Sequence, residues 1–229
     1  MINIHDIYRP FITHFRRKRM RNFIRLMGID DSTSIIDVGG TAFVWNLVEC
    51  QPMVTMINLK APKSVDTRLH AVVASGLAIP FRDNSFDICF SNSVIEHVGD
   101  AEARAAFSRE VRRVSKCYWV QTPNRRFFVE PHFICLFLHW LPFQVKRHLI
   151  RRFTLWGLVT KPSQKKVDEA LLGNHLLDER EMRELFPDGE IIKERFLGIP
   201  KSLISMKRNT DFIASLQNPV GFVDIKESV

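Results

Sequence analysis

Apolar positions along this chain change period several times, and each change marks an element. "SIIDV" (34–38), "MVTMIN" (53–58), "LHAVVA" (69–74), "FDICFS" (86–91) and "CYWVQ" (117–121) are short apolar runs that predict five strands. Between them the spacing turns helical. Residues 42–50 predict one helix, and 100–114 another, capped by Asp100 and burying Ala103, Phe107, Val111 and Val114. Ahead of the first strand, residues 11–27 predict a basic helix with Phe11, Phe15, Phe23, Ile24 and Met27 on one side. Arg16 and Arg19 intrude on that side, and Gly28 ends the helix.

The stretch 59–68 has two prolines and no apolar period, so it predicts a loop, too short for a full helix on that side. After the fifth strand the pattern breaks, and residues 122–176 are aromatic, basic and irregular. Regularity returns at Asp178, three residues before Glu181, a capping-box start for a helix ending near Phe186–Pro187. Residues 190–196 and 201–207 predict two antiparallel strands joined through "LGIP". The tail from Asn209 carries no strong signal, and no internal repeat is present.

Strands alternating with helices predict an α/β fold, a parallel sheet covered on both faces. In such sheets a ligand lies outside the carboxyl ends of the strands, near the point where their order reverses. Asp37–Thr41, Asn58, Ser75–Leu77 and Ser91–Ser93 therefore share one rim.

Composition bounds the partners. A chain of 229 residues, 45% hydrophobic and 25% charged, buries an ordinary core. Its net charge of +8 favours an anionic partner. Seven cationic residues lie between Arg9 and Arg25, and nine more between Arg125 and Lys166. A solvated basic face accounts for such clusters as readily as nucleic acid, an anionic membrane or an acidic substrate. Cys50, Cys89, Cys117 and Cys135 form no C-x-x-C pair, which predicts buried free thiols in a reducing cytosol. The most hydrophobic run, "FICLFLHWLPF" (133–143), is half the length a membrane span needs, about 20 residues. The N-terminus lacks the apolar core of a signal peptide.

The sharpest local signal is Asp37-Val38-Gly39-Gly40-Thr41. Its glycines let the chain turn tightly and bring main chain against a ligand. The G-x-G-x-x-G spacing of a dinucleotide site fails after Gly40, and the lysine of a P-loop is missing. Asn58, 19 residues after Gly39, stands where a ribose partner is expected.

That loop and "LAIPFRDNSFDICFSNSVIEHV" (77–98) resemble class I S-adenosylmethionine-dependent methyltransferases of the type-11 group. "QTPNRRFFVEPHF" and "FLGIPKSLISMKR" extend the resemblance, which spans roughly residues 34–208. It implies a Rossmann-like class I methyltransferase fold: a mostly parallel seven-stranded sheet, helices on both faces, and a lid insertion after the fifth strand. The implied domain runs over 31–208, with 122–176 as its lid or substrate region. A basic helical segment (1–30) precedes it, and a tail (209–229) follows.

The implied cofactor is S-adenosyl-L-methionine. By resemblance, Asp37, Gly39 and Gly40 underlie its methionine moiety, and Asn58 contacts its ribose. Ser75, Gly76 and Leu77 flank the adenine, and Ser91 and Asn92 lie near the methionine end. Three residues depart from the family pattern: Thr41 replaces a glycine, and Asn58 and Ser75 replace acids. Each retains a hydrogen-bonding group, which predicts an altered site rather than a missing one.

Methyl transfer is an in-line displacement, helped mainly by holding nucleophile and methyl carbon about 3 Å apart. A hydroxyl acceptor also calls for a general base. His132 is the candidate base, with Glu130 orienting it or binding substrate; a purely structural hydrogen bond is the competing role. His97 in "IEHV" fits a structural contact better, and Trp45 fits packing. The eight histidines include no H-x-x-x-H and no partner cysteines, so no metal site is expected.

Ser91-Asn92-Ser93-Val94 stands where nucleobase amino-methyltransferases carry Asn/Asp-Pro-Pro-aromatic, and no cysteine nucleophile follows a proline. The expected acceptor is therefore a small molecule, a glycan or a lipid-linked intermediate, methylated at oxygen. Residues 125–166 alternate basic and aromatic side chains, as an interfacial segment does. Peripheral contact with the inner face of the membrane is expected of an otherwise cytoplasmic enzyme. A catalytically idle cofactor-binding protein and an RNA-binding methyltransferase rank behind.

Overall fold

The computed structural model describes residues 4–62 and 69–209, and side chains among them from residue 13 onward. In chain order come α1 (Ile4–Met27), β1 (Ser34–Val38), α2 (Ala42–Trp45), β2 (Met53–Asn58), β3 (Leu69–Val73) and β4 (Phe86–Asn92). A 3-10 turn (Ile95–His97), α3 (Ala101–Val114) and β5 (Ser115–Pro123) follow. The next stretch holds β6 (Val129–Glu130), β7 (Cys135–Leu136), α4 (Phe143–Phe153), α5 (Leu155–Thr160) and α6 (Gln164–Leu172). The described chain closes with α7 (Glu179–Leu185), β8 (Glu190–Phe196) and β9 (Ile199–Lys207).

Seven strands form one sheet in the order β3-β2-β1-β4-β5-β9-β8. The first five are parallel, while β9 runs antiparallel to both β5 and β8. From β1 the chain winds outward to β3, then returns to lay β4 on the other side of β1. Strand order thus reverses between β1 and β4, where a crevice opens at the carboxyl ends. This is the mostly parallel seven-stranded, Rossmann-like fold that the resemblance implied.

Both faces of the sheet are buried, which is why its strands read as apolar runs rather than alternating ones. Neighbouring residues still part company: Ile35 joins one core and Ile36 the other. On the first face Phe23 of α1 packs on Phe90, Trp119 and Trp45, with ring centroids 4.7, 5.4 and 6.3 Å away. Such pairs add about 0.5–1.5 kcal/mol each beyond the area they bury. On the second face α3 buries Phe107, Val111 and Val114. The Asp100 carboxylate caps α3 by accepting from the Ala103 N–H, and α7 carries the full Asp178–Glu181 capping box. Each cap contributes about 1 kcal/mol.

Three expectations need correction. The helix expected over 42–50 is the single turn Ala42–Trp45, because the chain must reach Pro52 and β2 within seven residues. The basic helix extends back to Ile4, beyond the expected start at residue 11; the Phe11 side chain lies outside the described residues. Residues 122–176 are regular rather than irregular. Three helices and a two-stranded ribbon close over an apolar cluster of their own, Phe133, Leu138, Ile150 and Val167. The expected loop over 59–68 lies partly outside the described residues, and the tail does so from residue 210. Cys89 and Cys117 are buried free thiols, while Cys50 and Cys135 are free but only half-buried.

Candidate active site

The crevice at the strand-order reversal is a cleft of about 810 Å³. Its floor is the turn after β1. Gly39 takes a φ of +78°, and a Cβ there would stand 2.5 Å from the Val94 side chain. A Cβ on Gly40 would overlap the Asp37 carboxylate at 1.7 Å. Both positions therefore exclude side chains on packing grounds alone, and the bared backbone faces the cleft as a consequence. The Gly39 N–H donates to the Ile57 carbonyl at 2.8 Å, and the Asn58 amide donates to the Gly40 carbonyl at 3.0 Å. These bonds tie the turn to the end of β2.

Asp37 lies beneath this turn, fully buried. Its Oδ2 accepts from the Trp45 indole N–H at 2.8 Å, whereas its Oδ1 has no partner. Burial raises its pKa to about 7 against the pull of that one bond. An unpartnered buried carboxylate under a side-chain-free turn fits a ligand that brings a cation, as the ammonium of a methionine moiety does.

The remaining wall is built from other loops. Thr41, Asn58, Ser75, Gly76 and Leu77 all line the cleft with Gly39 and Gly40. The Ser75 hydroxyl accepts from the Leu77 N–H at 3.1 Å, which shapes that loop and leaves its own proton to offer. Gly76 packs over Phe107 and Val38, where a Cβ would come within 2.9 Å of the valine. Ser91 and Asn92 are not in the wall. Ser91 is buried and donates to the Val38 carbonyl at 3.1 Å, while Asn92 accepts a short bond from Arg19. Trp45 packs in the core, as expected.

His97, read from the sequence as a structural residue, lines the cleft together with Val94 and Val98. It stands at the end of the 3-10 turn that leads away from β4. Its Nδ1 lies 3.0 Å from the Gly173 carbonyl, and its ring packs edge-on against His132, centroids 4.8 Å apart. That contact brings the insertion to the cleft. Among the described residues the insertion supplies none of the cleft wall itself.

His132 and Glu130 meet as expected, with Nδ1 and Oε1 2.8 Å apart. Glu130 is buried and also accepts from the Phe133 N–H at 2.6 Å and the Asn174 amide at 3.1 Å. The same amide lies 2.8 Å from His132 Nδ1. Burial pulls the His132 pKa down, but the bond and charge of Glu130, with Glu96 beyond, raise it above the ordinary value overall. Glu96 completes this group from the turn after β4. It is buried, its Oε2 accepts from the Thr122 hydroxyl at 3.0 Å, and its Oε1 has no partner. Burial raises its pKa. The only signal for it was its place in "IEHV", beside His97.

A doubly wound sheet with a side-chain-free turn at the switch point is an arrangement that receives a ligand outside the carboxyl ends of the strands. Residues 18–117 match the family described as a methyltransferase domain. Over that stretch the chain is similar to S-adenosylmethionine-dependent methyltransferases of the type-11 group, whose cofactor, S-adenosylmethionine, suits this cleft. No curated protein matches the chain in sequence. Among solved structures, a Rhodobacter sphaeroides protein described as a zinc-dependent alcohol dehydrogenase is 13% identical with a TM-score of 0.54, covering 81% of this chain and 87% of that one. A chain from the complex of the Haloferax volcanii Trm112 methyltransferase activator with a methyltransferase is 12% identical, TM-score 0.51, covering 90% and 97%. At these identities both show the fold alone. The [4+2]-cyclase SpnF is 18% identical over 48% of this chain, with a TM-score of 0.41, and the matched part spans only 46% of the cyclase.

Proposed function

We propose that this methyltransferase acts on oxygen of an amphipathic acceptor, such as a lipid-linked or glycan intermediate or a small molecule, presented at an anionic membrane surface. Bound S-adenosylmethionine supplies the electrophilic methyl group. Over Gly39 and Gly40 the main chain receives its methionine end, with Asp37 beneath to pair its ammonium. Asn58 offers its carbonyl oxygen to the ribose, and Ser75 to Leu77 flank the base. His132, oriented by Glu130, is placed against the acceptor hydroxyl and activates it. In this reading 31–208 is the catalytic domain, 122–176 its acceptor-side region, 1–30 the basic helical segment and 209–229 a tail.

The observation that carries the acceptor class is the outer surface of the insertion. Phe153 is 67% exposed and Trp140 53%, and Phe137, Phe143, Val145 and Leu158 are exposed beside them. Lys146, Arg151 and Arg152 interleave with these side chains on α4. Aromatics that settle in the headgroup layer and cations that meet anionic lipid are what an interfacial surface needs. No described helix is long and apolar enough to cross a membrane.

The test is S-adenosylhomocysteine release from the full chain with S-adenosylmethionine and vesicles of anionic lipid carrying a membrane lipid extract. Product that depends on the extract, and falls when neutral lipid replaces the anionic one, is the expected result. Cofactor binding with no turnover on any extract would identify an idle binder and overturn the proposal.

A further inference from the structure

Glu96, His97 and His132 come together beside the cofactor cleft, and each has one ligating atom within 4.8 Å of the others. The two histidines stand in different segments, so no helical spacing betrays them. Their chemistry is complementary. The Glu130 carboxylate and the Asn174 amide nitrogen both stand 2.8 Å from His132 Nδ1; the acceptor-only carboxylate draws the proton to Nδ1, and Nε2 keeps its lone pair. The Gly173 carbonyl does the same for His97, again through Nδ1. Two imidazoles are thereby set in one tautomer, each with a free Nε2 and an acceptor behind it. A carboxylate or carbonyl behind a histidine is the outer shell that orients metal-bound imidazoles.

The third group supplies an independent sign. Glu96 is only 1% exposed, yet its Oε1 has no hydrogen-bond partner, while its Oε2 is held by Thr122. A buried carboxylate oxygen left without a donor costs stability unless something compensates it. Within the same cluster, a cation is the group that would satisfy it together with two imidazole lone pairs.

We propose that Glu96, His97 and His132 form a site for one first-row divalent transition metal of the zinc or iron(II) type. Two nitrogen ligands and one carboxylate favour such ions over magnesium, and leave open positions for oxygen ligands. The inference deepens the acceptor reading and rests on it for one part, the role of the ion. Beside the cleft an ion holds the acceptor oxygen and lowers the pKa of its hydroxyl, and the released proton passes to water. The oxygen lone pair then forms the new bond to the methyl carbon, as the carbon–sulfur pair leaves with sulfur. His132 acts in this scheme through the ion it holds.

The test is calorimetric titration of the chelator-stripped full chain with ZnCl2, without cofactor or acceptor. One zinc per chain is expected. Glu130→Gln should weaken binding by about 10–100-fold, and His97→Ala and His132→Ala by at least as much. His97 is exposed, so its alanine variant keeps the question answerable if His132→Ala fails to fold. Long-range nitrogen–proton spectra of the zinc-free chain should show both rings protonated at Nδ1. No stoichiometric zinc, zinc binding untouched by His97→Ala, or tighter binding of MgCl2 than of ZnCl2 would overturn the proposal. A failed titration leaves the methyl-transfer reading standing. Absent turnover, in turn, leaves a positive titration standing.

Discussion

Adjacent residues at the end of β5 look into two different environments. Gln121 accepts from the buried Arg19 guanidinium at 2.9 Å, on the face covered by α1. Thr122 donates to the buried Glu96 carboxylate on the opposite face. Both environments hold charge out of water, but Arg19 and Glu96 are partnered differently. Arg19 pairs with both oxygens of Glu194, at 2.7 and 2.6 Å, and also reaches Asn92 and Gln121. Glu96 keeps an oxygen without a partner, and so does Asp37 under the glycine turn. A buried charge that is fully paired clamps elements together, here α1 to β8 and to the ends of β4 and β5. A buried charge left partly unpaired marks where a ligand belongs.

The largest expected effect breaks the comparison through pH. Between about pH 4 and pH 7 folded Asp37 keeps a proton that the unfolded chain has lost, since its pKa rises from 3.8 to about 7. The contribution of Asp37 to the stability of the unliganded chain is therefore full below pH 4 and is lost as pH rises through 7, by up to about 4 kcal/mol, on top of the opposite trend of carboxylates such as Asp87 and Glu194. Denaturant titrations across that window should show the slope, and Asp37→Asn should flatten it. Saturating S-adenosylmethionine should also reduce it, because a paired ammonium favours the ionised carboxylate.

Next comes the clamp itself. Arg19→Met leaves Glu194 facing only Lys201, 3.6 Å away, and should cost about 3 kcal/mol in urea unfolding. Glu96→Gln should stay within about 1 kcal/mol of the parent, since it keeps an acceptor for Thr122 and replaces an oxygen that no donor reaches. Equal costs for the two variants would erase the distinction between the paired and the partly unpaired charge. Gly39→Ala meets Val94 at a positive φ, and about 1–3 kcal/mol of lost stability should accompany weaker cofactor binding. The smallest effect concerns the insertion: Phe153→Ser should reduce co-sedimentation with anionic vesicles several-fold, by about 1–2 kcal/mol, with the fold intact in circular dichroism.

Much of this architecture was legible in the chain because its strands are buried on both faces and its caps are side-chain chemistry. "SIIDV" needed no tertiary information, nor did Asp100 or the Asp178–Glu181 box. The insertion was not legible. On α4 only Ile150 is buried, while Phe143, Val145 and Phe153 are exposed, so apolar residues point outward as well as inward and blur the helical period. In the sequence Arg19 is a flaw in an amphipathic helix; its partner Glu194 lies 175 residues away, and no local pattern reports such a pair. Part of the expected rim, Gly39–Thr41, Asn58 and Ser75–Leu77, lines the cleft because it follows strand ends, whereas Ser91 and Asn92 turn away to Val38 and Arg19. The cluster of Glu96, His97 and His132 was not legible, because it is assembled by a fold-back of the insertion onto the turn after β4 at Gly173 and His175.

The central claim is that the cleft over Gly39 and Gly40 receives the methionine end of a sulfur nucleoside, with Asp37 as its counter-charge. Calorimetric titration with S-adenosylhomocysteine, comparing the parent chain with Asp37→Asn, tests it most directly. One ligand per chain, bound at least about tenfold more weakly by the variant while both chains melt as folded proteins, is the predicted result. Equal affinity in the two chains, or no binding to either, would contradict the account.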